Sequence, residues 1–360
     1  MGQAGRMLVA AMGFGAVAWA FTGPLPAPTS VRAQATDGSI LAVVGRQVAR
    51  LNLEAPRHRM ISHIATPANA LEVTARGDGS GVIVAVGGPV PGGGPRGADL
   101  VALDAGTGDI TPIAQRAEPR ESLNSPAWWP DGETLLFERQ DLGGQPVGAP
   151  GQEVPRYPSR IERVLADGSE RSVILPDGRQ PDAAPDGTRL VFARTTNQGA
   201  SLLSWHQADG TVQTLVPEGR FADVAYPRFS PSGERIAFVA PQSGVGALAQ
   251  LGVVRQSGIG VSPAGLAGVG LDLAALFGPS VALAHGIPWD PWLMNADGSN
   301  LHRAAETGAD EPSVSWSPDG NQLFVYSGTG SFIVDAVGGG VTPLPYVQGY
   351  GPTVWLASSP

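Results

Sequence analysis

The sequence predicts an all-β fold, a six-bladed β-propeller of four-stranded antiparallel blades. Two observations lead to this prediction: a hairpin signature that recurs along the chain, and a second turn that recurs after each hairpin. A third observation is that one copy of the hairpin is divided between the two ends of the chain. We therefore expect a ring that is closed when the C-terminal strand joins the N-terminal blade.

The clearest hairpin copy is EPSVSWSPDGNQLFVYS, residues 311–327. In its Ser-Pro-Asp-Gly turn, proline presets φ, aspartate can bond its own backbone and glycine accepts a positive φ. The apolar run 323–326 after the turn is continuous, which predicts a second strand that is buried on both faces.

The other copies of the hairpin have the same order of apolar strand, turn and apolar strand. They are residues 125–139, 180–194 and 226–240, a weaker copy at 71–86, and a divided copy made of 351–360 and 36–44. The divided copy is the feature expected of a closed ring of blades.

The second turn has the pattern Asp/Asn-Ala-x-Gly or a variant of it. It occurs at residues 104–108, 165–168, 207–210, 295–298 and 335–339, with a poorer match at 54–56. Two turns in each repeat define four strands, which is the propeller unit.

Length variation is confined to one position in the repeat. The distance from the hairpin glycine to the second turn is 19 residues between Gly320 and Gly339 but 65 between Gly233 and Gly298. The inserts 87–97, 141–158 and 241–288 therefore join second to third strands, on the side that also holds the connections between blades. We call this side the loop face and the opposite side the turn face. Inserts on one side predict a working surface there, the loop face.

The first 35 residues have the features of an export signal. Arg6 is the only charge before the apolar run 7–21, and Ala33-x-Ala35 fits signal peptidase. The run is short for a transmembrane helix, so an uncleaved anchor is the alternative. We expect the propeller to occupy residues 36–360 and to be periplasmic, secreted or exposed on the cell surface.

Composition excludes several classes of protein. The chain has no cysteine, so it has no disulfides despite the expected export. Its net charge of −9 argues against nucleic acid as a partner, because there is no basic surface of the size that phosphates require.

The insert 241–288 is apolar and rich in glycine, and its only formal charges are Arg255 and Asp272. One interpretation is a lid on its own propeller. The other is an exposed patch that contacts a protein partner or a membrane surface. Its glycines and Pro279 argue against a transmembrane span.

The motif P-x-W-S-P-D-G-x-x-L/I-x-F-x-S, followed by N-A-D-G, resembles the repeat of the TolB propeller and of the non-catalytic propellers of prolyl-oligopeptidase-type peptidases. The resemblance covers about residues 36–360 and implies a fold rather than a site. TolB carries an α/β domain before its propeller, and we expect none here.

Catalytic signatures are few. The string nearest to G-x-S-x-G, residues 260–265, has one residue too many, and H-E-x-x-H is absent. His58 and His63 would point to opposite faces of one strand, while His206, His285 and His302 are the remaining histidines that a channel metal could use. Asp182 is the only acid that we place within a clear inner strand. We therefore expect no enzyme activity, no cofactor and no metal.

The sequence thus favours a monomeric binding propeller that contacts a protein, peptide or envelope polymer through the loop face. The alternative is a lyase or hydrolase that acts on a saccharide or peptide in the channel, and a third interpretation is a structural role for a tethered propeller. Candidate binding residues lie where the chain enters the inner strands: Arg120, Glu121, Tyr226, Arg228, Asp310, Glu311, Tyr346 and Tyr350. Aromatic residues and arginine are common in binding sites.

Overall fold

The computed structural model describes residues 38–53, 57–88, 97–147, 154–196, 199–241 and 288–357. The regular structure in these ranges consists of β-strands. None of the described segments forms a helix with the length and apolarity needed to span a bilayer.

Six four-stranded antiparallel sheets form the blades. Blade 1 contains β1 (Gly38–Val44), β2 (Gln47–Asn52), β3 (Arg57–Met60) and β26 (Val354–Ala357). Blade 2 contains β4 (Asn69–Thr74), β5 (Val82–Gly87), β6 (Ala98–Leu103) and β7 (Ile110–Ala114). Blade 3 contains β8 (Glu121–Trp128), β9 (Thr134–Asp141), β12 (Ser159–Leu165) and β13 (Ser172–Leu175), with the separate hairpin of β10 (Gln145–Val147) and β11 (Val154–Arg156).

The remaining three blades follow in chain order. Blade 4 contains β14 (Arg179–Ala183), β15 (Arg189–Thr196), β16 (Gly199–His206) and β17 (Val212–Phe221). Blade 5 contains β18 (Ala225–Phe229), β19 (Arg235–Pro241), β20 (Trp289–Asn295) and β21 (His302–Arg303). Blade 6 contains β22 (Ser313–Trp316), β23 (Gln322–Tyr326), β24 (Ser331–Asp335) and β25 (Val341–Leu344).

Blade 1 closes the ring, as the divided repeat predicts. Strand β26 pairs antiparallel with β1, from Gly38 opposite Ala357 to Leu41 opposite Val354. The C-terminal strand is therefore the inner strand of the N-terminal blade.

The predicted turns are confirmed at both positions of the repeat. In blade 6, Gly320 has φ of 72° and its N–H donates to the Ser317 carbonyl at 2.8 Å. In blade 5, the Gly298 N–H donates to the Asn295 carbonyl at 2.9 Å. Strand β23 is buried along its whole length, which confirms the prediction from its continuous apolar run.

The apolar core consists of layers between neighbouring blades. Between blades 6 and 1, Ile40 and Leu51 pack with Phe324, Tyr326 and Trp355. The Tyr326 hydroxyl also donates to the Val43 carbonyl at 2.6 Å, which joins the two blades by a buried polar contact. Each blade is thus stabilised mainly by its two neighbours.

Two details differ from the sequence prediction. The sequence favours a third strand of blade 1 near residues 59–64, whereas β3 spans Arg57–Met60. Beyond it the Ile61 N–H still donates to the Val48 carbonyl at 2.9 Å, and the Gln47 side chain binds the Ile64 main chain. The blade 3 insert is polar and rich in glycine and proline, which predicts a loop, but its main chain forms the β10–β11 hairpin.

Several predictions fall outside the described residues. These are the leader, the poor turn match at 54–56, most of the loop 87–97, and residues 242–287 of the blade 5 insert. The prediction that the inserts join second to third strands is confirmed, because β5–β6, β9–β12 and β19–β20 are the strand pairs that flank them.

Candidate functional site in the central channel

The inner strands β26, β4, β8, β14, β18 and β22 surround a central channel, and most neighbours among them are in contact around the ring. A cavity of about 620 Å³ lies where these strands run into the hairpin turns, and all six blades contribute to its wall. The cavity therefore lies at the turn face, opposite the side that carries the inserts.

The cavity wall is largely aromatic. It includes Trp128, Trp129, Phe229, Trp316 and Trp355, together with prolines of the hairpin turns. A volume of this size with a few polar groups in an apolar wall is typical of a ligand site.

Arginine side chains of one blade pack against aromatic rings of the next blade. The Arg76 guanidinium lies 4.0 Å from the Trp128 ring centroid, and its Nε donates to the Gly132 carbonyl at 3.1 Å. Arg235 lies 4.9 Å from the Trp316 centroid and donates to the Gly320 carbonyl at 2.6 Å. Because each arginine contacts both a ring and a turn carbonyl, the wall is cross-linked between blades.

Asp182 and Arg228 form a polar pair within this wall. Asp182 Oδ2 accepts the Phe229 N–H at 2.8 Å, and Arg228 Nη1 lies 4.0 Å from Asp182 Oδ1. Burial raises the pKa of Asp182 to about 6, although the Arg228 charge and the Phe229 N–H oppose this shift. The channel thus holds an acid that titrates near neutral pH.

Glu72 is a second channel carboxylate, on inner strand β4. Its carboxylate accepts the Ser125 N–H from blade 3. Burial raises the pKa of Glu72 to about 7, because the Ser125 hydrogen bond and Arg228 only partly offset the loss of solvent. The expectation that Asp182 is the only acid in an inner strand was therefore wrong, since Glu72 and Glu121 also lie in such strands.

Glu72 belongs to a layer that the repeat itself defines. The position seven residues before the hairpin glycine is occupied in blades 2 to 5 by Glu72, Ser125, Gln180 and Tyr226. We call these four residues the inner layer. Counting back seven residues from each hairpin glycine would have identified Glu72 from the sequence. The blade 2 copy of the hairpin matches the others only weakly, and for this reason Glu72 was missed.

Side-chain acceptors link the inner layer from blade to blade. Gln180 Oε1 accepts the Tyr226 N–H at 2.9 Å, and Glu138 Oε2 accepts the Gln180 N–H at 3.3 Å. Each of these donors is turned toward the preceding blade by a one-residue bulge in its inner strand.

The bulges explain the unusual backbone of this layer. Ser125, Gln180 and Tyr226 have φ of 50°, 53° and 49°, and a proline follows each of them. A positive φ at a residue other than glycine costs roughly 1–3 kcal/mol and persists only where its surroundings enforce it. The three inter-blade hydrogen bonds supply that constraint.

The structure brings four of the predicted binding residues together at the loop-face mouth. The Tyr350 hydroxyl donates to Asp310 Oδ2 at 3.0 Å, and burial together with this acid raises the pKa of Tyr350 to about 12. Glu311 is the next residue, and its charge also raises the pKa of Tyr226, behind burial and the charge of Glu72. Tyr226, Asp310, Glu311 and Tyr350 form what we call the mouth cluster.

The other four predicted residues are placed differently. Arg228 lies deeper in the channel beside Asp182. Glu121 is only 4% exposed, accepts the Ala117 N–H at 2.9 Å and pairs with Arg139, so its carboxylate is engaged within its own blade. Arg120 and Tyr346 are exposed.

The described residues contain no group of three or more His, Asp or Glu side chains suited to a metal ion. His206 lies at the end of β16 and His302 is exposed on β21, so neither lies in an inner strand. His285 and the string 260–265 lie outside the described residues.

No protein-family model matches the chain. No curated protein matches it either. Among solved structures, TolB from Acinetobacter baumannii is similar, with a TM-score of 0.57 and 16% identity over 88% of this chain. The chain spans 66% of the length of that TolB.

Two further structures share the fold. A putative TolB from Agrobacterium tumefaciens has a TM-score of 0.53 and 18% identity, covering 80% of this chain and 85% of its own. A chain of a nidogen/laminin complex has a TM-score of 0.57 and 12% identity, covering 88% of this chain and 98% of its own. Identities this low show the fold alone, and in fold this chain is a six-bladed propeller like that of TolB.

Proposed function

We propose that the protein is an exported, non-catalytic propeller that binds a protein, peptide or envelope polymer through its loop face. The observation that carries this proposal is the mouth cluster, in which two tyrosines and two acids from blades 5 and 6 and the segment before β26 converge where the channel opens to the loop face. The inserts of blades 2, 3 and 5 join strands whose connected ends lie on this same face.

The chemistry of the mouth cluster indicates what it would contact. Tyrosine combines an apolar ring with a polar hydroxyl, and it is frequent among residues that dominate binding energy. Asp310 and Glu311 add negative charge. A segment that presents a cationic or apolar side chain would therefore be complementary in charge and shape.

Cell-envelope capture tests this proposal. We would compare the chain from residue 36 onward with a Tyr350→Ala, Glu311→Gln variant, and use Tyr346→Ala as the control. Tyr346 and Tyr350 are 49% and 45% exposed, so the two changes remove similar surfaces at different places. We expect the partner to be lost from the mouth variant and kept by the control. Equal capture by all three proteins would contradict the proposal.

The blade 5 insert needs its own variant, in which residues 243–286 are replaced by a short Gly-Ser link. If the shortened chain keeps its fold but no longer captures the partner, the insert is part of the recognition surface. If the shortened chain unfolds, the insert is instead a lid that the propeller needs for its stability.

An enzyme acting in the channel is the second candidate, and the acids Glu72 and Asp182 are the observation that favours it. Their raised pKa values suit proton transfer near neutral pH. The propeller fold does not decide between binding and catalysis, because fold does not fix chemistry. Incubation with envelope saccharides and peptides, beside a Glu72→Gln, Asp182→Asn variant, would separate the two candidates. Turnover lost only in the variant would favour the enzyme.

A further inference from the structure

Blade 1 is basic in an otherwise acidic chain. Its described residues, 38–53 and 57–64, contain Arg46, Arg50, Arg57 and Arg59 and no aspartate or glutamate. The whole chain carries a net charge of −9. The described part of blade 1 therefore carries a net positive charge, and three of its arginines lie on strands β2 and β3.

Strand register places three of these arginines on one face of the blade. Arg50 lies directly opposite Arg59, and Asn52 lies opposite Arg57. Arg50 also lies opposite Leu41, whose side chain packs against blade 2. The three guanidinium groups therefore line the outer end of the cleft between blades 1 and 2. Like charges directly opposite each other on a sheet are destabilising.

Nothing in the described parts of the chain neutralises these arginines. Among those residues, no hydrogen bond or ion pair reaches the three guanidinium groups, and the Nε of Arg50 is buried without a partner. Strand β7, on the facing side of blade 2, contains no acid and presents Ile110 and Pro112. Several arginines of other blades do form ion pairs, as in Arg139 with Glu121 and Arg171 with Glu162.

The shape of this surface distinguishes among anionic ligands. Strand β3 is an outer edge strand whose four residues, Arg57 to Met60, are all exposed. It is a convex edge on the circumference of the ring, and Met60 adds an apolar side chain that is 43% exposed. A convex edge with cationic and apolar side chains fits a plane of headgroups better than a single small anion.

We propose that the outer edge of blade 1, formed by Arg50, Arg57, Arg59 and Met60, binds the surface of an anionic phospholipid membrane. The guanidinium groups contact headgroup phosphates, and the membrane supplies counter-charge that the described residues around this edge do not. Because blade edges lie on the circumference and the channel mouths on the faces, docking by this edge leaves the loop face open to a partner.

Vesicle flotation tests the proposal on the chain from residue 36 onward. The probes are phosphatidylcholine vesicles, alone or with an equal amount of phosphatidylglycerol. We expect binding only to the anionic vesicles, and its loss in about 0.5 M salt, where charges are screened beyond roughly 4 Å. An Arg57→Gln, Arg59→Gln variant should bind about tenfold more weakly or worse.

The control variant is Arg163→Gln, Arg220→Gln, which removes two exposed arginines of blades 3 and 4 and gives the same net charge. We expect it to bind the anionic vesicles like the unmodified chain. Equal loss in both variants, or equal binding to neutral vesicles, would overturn the proposal.

Two other outcomes would also overturn it. Capture on soluble polyphosphate without vesicle binding would assign the edge to an anionic polymer instead. Self-association of the Arg57→Gln, Arg59→Gln variant with unchanged vesicle affinity would mean that the arginines only protect an exposed strand edge.

Discussion

Glu72 and Asp182 are channel carboxylates whose pKa values lie above those of carboxyl groups exposed to solvent. Both residues lie on inner strands, and burial raises their pKa values to about 7 and about 6. The aspartates of the turns show the opposite behaviour. In the turn of blade 2, hydrogen bonds from the Thr107 and Gly106 N–H groups lower the pKa of Asp104. The same residue type therefore titrates differently in the turns and in the channel.

We expect the titration of the Glu72 carboxylate to make the free energy of unfolding depend on pH. Because its pKa is raised from 4.5 to about 7, the folded chain binds more protons than the unfolded chain in this window. The free energy of unfolding therefore falls as pH rises through the window and levels off above it. A shift of this size corresponds to at most about 3 kcal/mol.

Denaturant titrations of the unmodified chain and of Glu72→Gln at pH 6 and pH 8 measure this contribution. Asp182, whose pKa is raised to about 6, is still partly protonated at pH 6 and adds a smaller fall, but this fall is common to the unmodified chain and to Glu72→Gln. The turn aspartates titrate lower and lie outside the comparison. We expect Glu72→Gln to lose less stability between the two pH values. Glu133→Gln, at an exposed position, should behave like the unmodified chain. An identical slope in all three would rule out a buried, protonated Glu72.

Elements of the blade differ in how far the sequence could predict them. The hairpins were predictable because Ser-Pro-Asp-Gly determines a turn from four neighbouring residues. The bulges at Gln180 and Tyr226 were not, because the N–H groups that they redirect are satisfied by another blade. Glu72 was missed for the same reason, since its partner Ser125 lies on the next blade. The β10–β11 hairpin also has no turn signature strong enough to predict it.

The hairpin turn of blade 6 provides a test at this scale. Gly320 has φ of 72°, so Gly320→Ala forces a side chain into the left-handed region. We expect a loss of about 1–2 kcal/mol in the free energy of unfolding, measured by denaturant titration. Gly77 lies in the blade 2 turn without a positive φ, and a Cβ atom added there would meet no other atom within 4 Å. Gly77→Ala should therefore be tolerated. A similar loss in both would contradict the role assigned to Gly320.

The whole molecule depends on a closure that joins residues far apart in sequence. Four residue pairs of β1 and β26 form the contact, and Trp355 and Leu356 of β26 are buried against blades 6 and 2. Without β26, the inner edge of β1 would be exposed and the neighbouring cores would lose their cover. An open sheet edge of this kind pairs readily with another chain.

Removal of residues 353–360 should therefore abolish the stable monomer. Burial of each large apolar side chain contributes roughly 1.5–3 kcal/mol, so losing Trp355 and Leu356 removes a large part of the roughly 5–15 kcal/mol that stabilises a domain. We expect a lower thermal midpoint and self-association in size-exclusion chromatography. Removal of 358–360 alone leaves β26 intact and should change neither. The peptide GPTVWLASSP, added in trans, should restore the monomer of the shortened chain, whereas a scrambled peptide should not. A stable monomer without β26 would show that the six blades hold together without the closure, and that the divided repeat is dispensable.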